Sequence, residues 1–155
     1  MSLFSAIFGS GNTAANVAAV VLPEPLFHEK AIKQLDLLGS LVKESSNVIS
    51  TEVYSILRSM DDMLRPLIKY LETHDVPAEQ EYLISALIAD YIPTPLHTFQ
   101  TLPDRDKQDG GQGDLLLLQQ YAIIDNNIRE LADQIYGGAL RELSTQAIFI
   151  ENKFN

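Results

Sequence analysis

Between Leu83 and Pro103 an apolar pattern at helical spacing runs into Pro93, Pro95 and Pro103, and this stretch constrains the fold more than any other. Proline lacks the N–H that a helix interior needs, and its ring clashes with the carbonyl four residues back. The spacing therefore predicts one helix ending near Asp90 or Tyr91 and a second, short one beyond the break. Pro77-Ala78-Glu79-Gln80-Glu81 reads as the start of the first, with carboxylates in the opening turn, where the helix dipole favours them. Tyr82, Leu83, Ala86 and Leu87 are its candidate core positions. Thr94 then caps a short helix from Pro95 to Leu102 that buries Leu96 and Phe99. The expectation is a central helix broken by proline into a fixed elbow.

The rest of the chain is also helical in period, with no alternating pattern long enough for a strand. Pro25 suits a first helical turn, and Leu26, Ala31, Ile32, Leu35, Leu38 and Val42 form an apolar face up to Ser45-Ser46-Asn47. Gly39 either weakens this helix or admits a close neighbour. Ser50 offers a cap for a second helix, whose face Val53, Ile56, Leu57, Met60, Leu64, Leu67, Ile68 and Leu71 keeps its phase across Pro66. That predicts a kink at Pro66 and not a stop. Residues 104–114 contain no apolar side chain and read as a mobile loop, with Asp114 capping a strong helix from Leu115 to Tyr136. Gly137-Gly138 should end that helix in a left-handed cap, and Ala139 to about Lys153 form a last one carrying Leu140, Leu143, Ala147, Ile150 and Phe154. The whole is predicted to be an all-α bundle of five to six helices. Residues 23–155 make one domain, preceded by a tail or short helix over residues 1–22.

Composition narrows the chemistry. The 155 residues include no cysteine, which removes disulfides, thiolate nucleophiles and cysteine-based metal sites. A formal net charge of −10 argues against binding nucleic acid or anionic lipid, since both need basic side chains. Residues 14–22 are apolar but too short to span a membrane, and no basic residue precedes Lys30, so a cytoplasmic protein is expected. A membrane-touching N-terminus built from Leu3, Phe4, Ile7 and Phe8 remains the alternative, although such helices usually carry Lys or Arg.

No metal or cofactor is expected. The Glu-x-x-His pairs of carboxylate-bridged metal bundles do not occur, and His28, His74 and His97 are scattered. Asp61 and Asp62 point about 100° apart on a helix and do not converge, while Asp61 and Arg65 are spaced for an exposed ion pair. No Ser-His-Asp set, phosphate loop or dinucleotide glycine pattern can be placed. The candidate site is therefore the elbow, where Asp90, Tyr91, Pro93, His97 and Phe99 could line a small site or a partner-recognition notch. The structural alternative has Tyr91 and Phe99 packing the turn while Asp90 accepts from freed backbone N–H groups.

Met63-Leu64-Arg65-Pro66-Leu67-Ile68, the turn Tyr91-Ile92-Pro93 with Leu96, Phe99 and Leu102-Pro103, and the ending Phe149-Ile150-Glu151-Asn152-Lys153-Phe154 together resemble an uncharacterised bacterial helical family with a Tyr-Leu-Pro turn. One branch of that family is associated with hydrolysis of 5-bromo-4-chloroindolyl phosphate and with toxic-anion (tellurite) resistance. The resemblance spans about half to two-thirds of the chain, with Ile92 in place of the leucine. It implies a helical fold and, for the related branch, hydrolysis. From the residues themselves the favoured expectation is a non-enzymatic module that binds another protein or a second copy of itself, with a ligand-binding or hydrolytic elbow as the alternative.

Overall fold

The computed structural model describes residues 26–154, and every described element is helical. The tail over residues 1–22, the apolar set Leu3, Phe4, Ile7 and Phe8, and Pro25 lie outside the described residues. Helix α1 is Phe27–Ser45, α2 is Thr51–Tyr70 and α3 is Ala78–Ala86. A π-helical turn, Leu87–Tyr91, follows α3, then α4 (Pro93–Gln100), the single turn α5 (Asp104–Lys107) and α6 (Gln112–Phe154). The all-α bundle read from the periodicity is the observed architecture.

Helices α1 and α2 form where the pattern placed them. Ala31, Leu35, Leu38 and Val42 are buried on α1, and Val53, Leu57, Met60, Leu64, Leu67 and Ile68 on α2, though Leu26 stays exposed. The Ser50 hydroxyl accepts from the Val53 N–H at 3.2 Å, so the cap holds without a glutamate. Pro66 lies inside α2, which continues to Tyr70. Arg65 donates to Asp61, one turn back, and to Asp36 on α1 at 2.8 Å, tying the two helices together. Those carboxylates push the Arg65 pKa further up, Asp61 more than Asp36. With 41% of the Arg65 side chain exposed, the bridge contributes at most about 1 kcal/mol.

At the proline break the structure departs from a fixed elbow. Ala86, Leu87 and Ile92 all keep right-handed helical angles, so the chain stays helical from α3 into α4. Pro93 would drive its ring into the Ala89 carbonyl of an ordinary α-helix. The wider π-turn, closed by Ile92 N–H donating to Leu87 O at 3.0 Å, moves that carbonyl aside. α4 accordingly starts at Pro93, two residues earlier than expected, and Thr94 is not its cap. The core of α3 also differs in part from the expected one. Ile84, Leu87 and Ile88 are buried, whereas Tyr82 and Leu83 face outward.

Residues 104–114, expected to be a loop without structure, hold α5 and a tight turn. Gly110 has φ of 77°, and its N–H donates to the Asp114 carboxylate at 2.9 Å. A Cβ on Gly113 would stand 2.5 Å from the Asp106 carbonyl oxygen and 2.6 Å from Leu102 Cδ1. Glycine lets backbone meet backbone here, and that close contact takes the place of apolar burial. Asp114 is buried within the first turn of α6 instead of preceding it.

The largest departure is α6 itself. It runs unbroken for 43 residues, about 65 Å at 1.5 Å per residue. Gly137 and Gly138 do not stop it, because neither adopts a positive φ. Glycine permits a left-handed cap but does not impose one; in a right-handed helix it costs only about 1 kcal/mol relative to alanine. The last buried residue of α6 is Ile135, and every residue from Leu140 to Phe154 is exposed. The final segment does not fold back on the bundle.

Candidate functional site

Two surfaces stand out, one on the body and one beyond it. The first is a groove of about 620 Å³ between the α3–π–α4 run and α6. Leu83, Leu87, Tyr91 and Pro95, four residues apart, form one wall. An α-helix carries such a row around its axis by about 40° per step, and the extra residue in the π-turn keeps it on one face. Ile123, Ile124 and Leu131 form the opposite wall, with the amides of Gln120, Asn127 and Gln134 at seven-residue spacing along α6. The groove is thus apolar with a regular polar edge.

The floor under the π-turn is fixed by one buried hydrogen bond. Tyr121 on α6 is fully buried and donates its hydroxyl to the Ile92 carbonyl at 2.6 Å. Desolvation pushes the Tyr121 phenol well above its ordinary pKa, since the anion would have to form away from water. Tyr136 is raised in the same direction, first by burial and then by Tyr70.

The sequence-predicted site residues do not converge. Asp90 is exposed and accepts from the Thr94 hydroxyl at 2.9 Å, not from freed backbone N–H groups. Tyr91 faces the α6 groove, while Pro93 faces a different depression against α1, beside Leu37 and Leu41. His97 is exposed near the end of α4, and Phe99 is buried in the core. Only Tyr91 belongs to the groove. Gln120, Asn127 and Gln134 were missed, although their seven-residue spacing is visible in the sequence.

Among the described residues no group of three or more His, Asp or Glu side chains is placed to hold a metal ion. Among the same residues no helix is long and apolar enough to cross a membrane. Of the motif residues singled out in the sequence, Leu64, Leu67 and Ile68 are core, Tyr91 ends the π-turn with Ile92 linking it to Pro93 at the start of α4, and Phe149 to Phe154 stands on the exposed end of α6. Compared with protein-family models, with curated proteins and with solved structures, the chain matches none.

The second surface is the end of α6. Tyr136, Leu140, Leu143, Ala147, Ile150 and Phe154 alternate separations of four and three residues, the spacing of a single apolar seam. Leu140 is 66% exposed, Leu143 62% and Phe154 79%. At the base of this arm Tyr136 packs edge-on against Tyr70, with ring centres 5.0 Å apart, and Tyr70 stacks on His74 at 3.8 Å. The arm is anchored by aromatic contacts at one end and, among the described residues, bare along the rest.

Proposed function

We propose that this protein is a non-enzymatic, cytoplasmic helical module that binds another protein, or itself, through the arm of α6 beyond Ile135. One observation carries the reading: an amphipathic helix of about five turns presents an apolar seam that none of the described residues covers beyond Tyr136. A helix of that length, with two glycines at its base and Ser144 and Thr145 mid-way, has little intrinsic stability in isolation. Burial of the seam against a partner supplies what propensity does not. The divergence of Asp90, Tyr91 and His97 also favours a binding role over catalysis, which needs groups aimed at one point.

The test is Leu143→Glu combined with Ile150→Glu, with a photo-crosslinkable residue introduced elsewhere on the arm. Both seam positions are exposed, so the body should keep its cooperative unfolding. Adducts formed by the arm in cells should disappear in the variant. An arm that forms no adduct even in the unsubstituted background, in a protein that is monomeric at all concentrations, ends the reading.

A further inference from the structure

This inference rests on the interaction reading above and names the partner. We propose that the arm pairs with the arm of a second copy of this chain, antiparallel, in a two-stranded seam centred on Thr145. The first reason is symmetry of spacing. The six seam positions lie symmetrically about residue 145, so reversing one copy places Tyr136 opposite Phe154, Leu140 opposite Ile150 and Leu143 opposite Ala147 of the other. Every apolar position then meets an apolar position.

Side-chain volume favours the same order. A parallel pair in register would set Ala147 against Ala147 and Phe154 against Phe154, leaving a void at one layer and crowding two layers on. Antiparallel pairing gives each Ala147 a Leu143 to fill its space. It also brings Phe154 to Tyr136, beside the existing Tyr70–His74 stack.

Charge selects the orientation independently. In the arm Arg141 and Lys153 balance Glu142 and Glu151, so the arm is neutral and the formal charge of −10 resides on the rest of the chain. Parallel arms would hold two such bodies side by side, about 8–10 Å between helix axes. Antiparallel arms set the two Ile135 positions about 30 Å apart along the axis, beyond the screening length of roughly 8–10 Å. The repulsion is then largely screened.

The area fits a weak, specific dimer. Covering a large apolar side chain removes on the order of 100 Å² from water. The four exposed ones on each arm, Leu140, Leu143, Ile150 and Phe154, approach about 800 Å² in total, and the free part of Tyr136, Ala147 and the flanking stems bring the pair toward the lower end of stable interfaces, about 1,200 Å². Ile148 and Phe149 are exposed as well but lie off the seam, and the Lys153 ammonium sits 5.8 Å over the Phe149 ring. They provide a control for unspecific stickiness.

The experiment is sedimentation equilibrium of the full chain at about 100 µM, a concentration suited to an interface of this size. It is paired with engineered disulfides, which the absence of native cysteine makes unambiguous. We expect twice the 17.2 kDa chain mass, Leu143→Glu to weaken association about thirtyfold or more, and Phe149→Ser to leave it unchanged. The Leu140→Cys/Ile150→Cys double variant should form interchain disulfides. Either single variant should not, because its two copies stand about 15 Å apart along the seam, too far to bridge. Self-linking by the single variants overturns the antiparallel order, and equal sensitivity to Phe149→Ser overturns the seam. A monomer whose arm still crosslinks in cells to a different protein overturns self-pairing and leaves the interaction reading intact, whereas crosslinks only to residues 1–25 of its own chain overturn both. A monomer with no adduct at all overturns both.

Discussion

The two halves of α6 carry the same pattern and meet different fates. Leu117, Tyr121, Ile124, Ile128, Leu131 and Ile135 are spaced four, three, four, three, four, and so are Tyr136, Leu140, Leu143, Ala147, Ile150 and Phe154. Five of the first six are buried and only Ile124 is partly so, whereas the second set lies in solvent from Leu140 onward. The second stripe starts one residue late, which turns it about 100° around the helix. It no longer points at α2, and at 1.5 Å per residue the helix has also outrun the body. Periodicity marks a face that needs covering; phase and reach determine what covers it.

Matched truncations test that contrast most strongly. Leu131→Ala should cost about 2–5 kcal/mol in urea denaturation, since its side chain is buried where the groove wall meets the core. Leu143→Ala, measured at protein concentrations low enough to keep the chain monomeric, should change stability by less than about 0.5 kcal/mol. Comparable losses at both sites would mean that the arm is covered within the monomer.

The glycines of α6 sharpen the same difference at a smaller scale. Gly113→Ala should destabilise by about 1–3 kcal/mol, because the new methyl meets the Asp106 carbonyl and Leu102. Gly138→Ala, with nothing within 4 Å of the new methyl, should stabilise by about 0.5–1 kcal/mol through helix propensity. Opposite signs within one helix, read from thermal midpoints, are the expected result.

A pH-dependent difference concerns Tyr121. Tyr121→Phe loses the bond to the Ile92 carbonyl and should cost about 0.5–1.5 kcal/mol at neutral pH. The folded state holds the Tyr121 proton more tightly than the unfolded chain, so its contribution is complete below the ordinary tyrosine pKa of about 10 and is lost as pH rises above it. Stability should therefore fall more steeply in the wild type than in Tyr121→Phe across that alkaline window. A parallel fall in both proteins would place the alkaline sensitivity elsewhere.

Much of the body was legible because its helices bury one face each. The stripes of α1 and α2 and the Ser50 cap follow from local spacing and short-range bonding. The π-turn was not legible, since Pro93 requires only that the Ala89 carbonyl move, and a break or a widened turn satisfies that equally. The short pattern of α3 could be drawn through Leu83 or through Ile84, and packing against α1 chose Ile84. Of the candidate site, Tyr91 was in place, but the groove wall across from it comes from α6, some thirty residues away in sequence.

By itself the sequence determined a helical, acidic, cysteine-free chain with a last apolar stripe from Leu140 to Phe154. Tertiary structure alone decided that α6 would pass through Gly137-Gly138 and carry that last stripe away from the core. The physical reason is that glycine allows either ending at a cost of about 1 kcal/mol, a margin that packing elsewhere in the molecule readily outweighs.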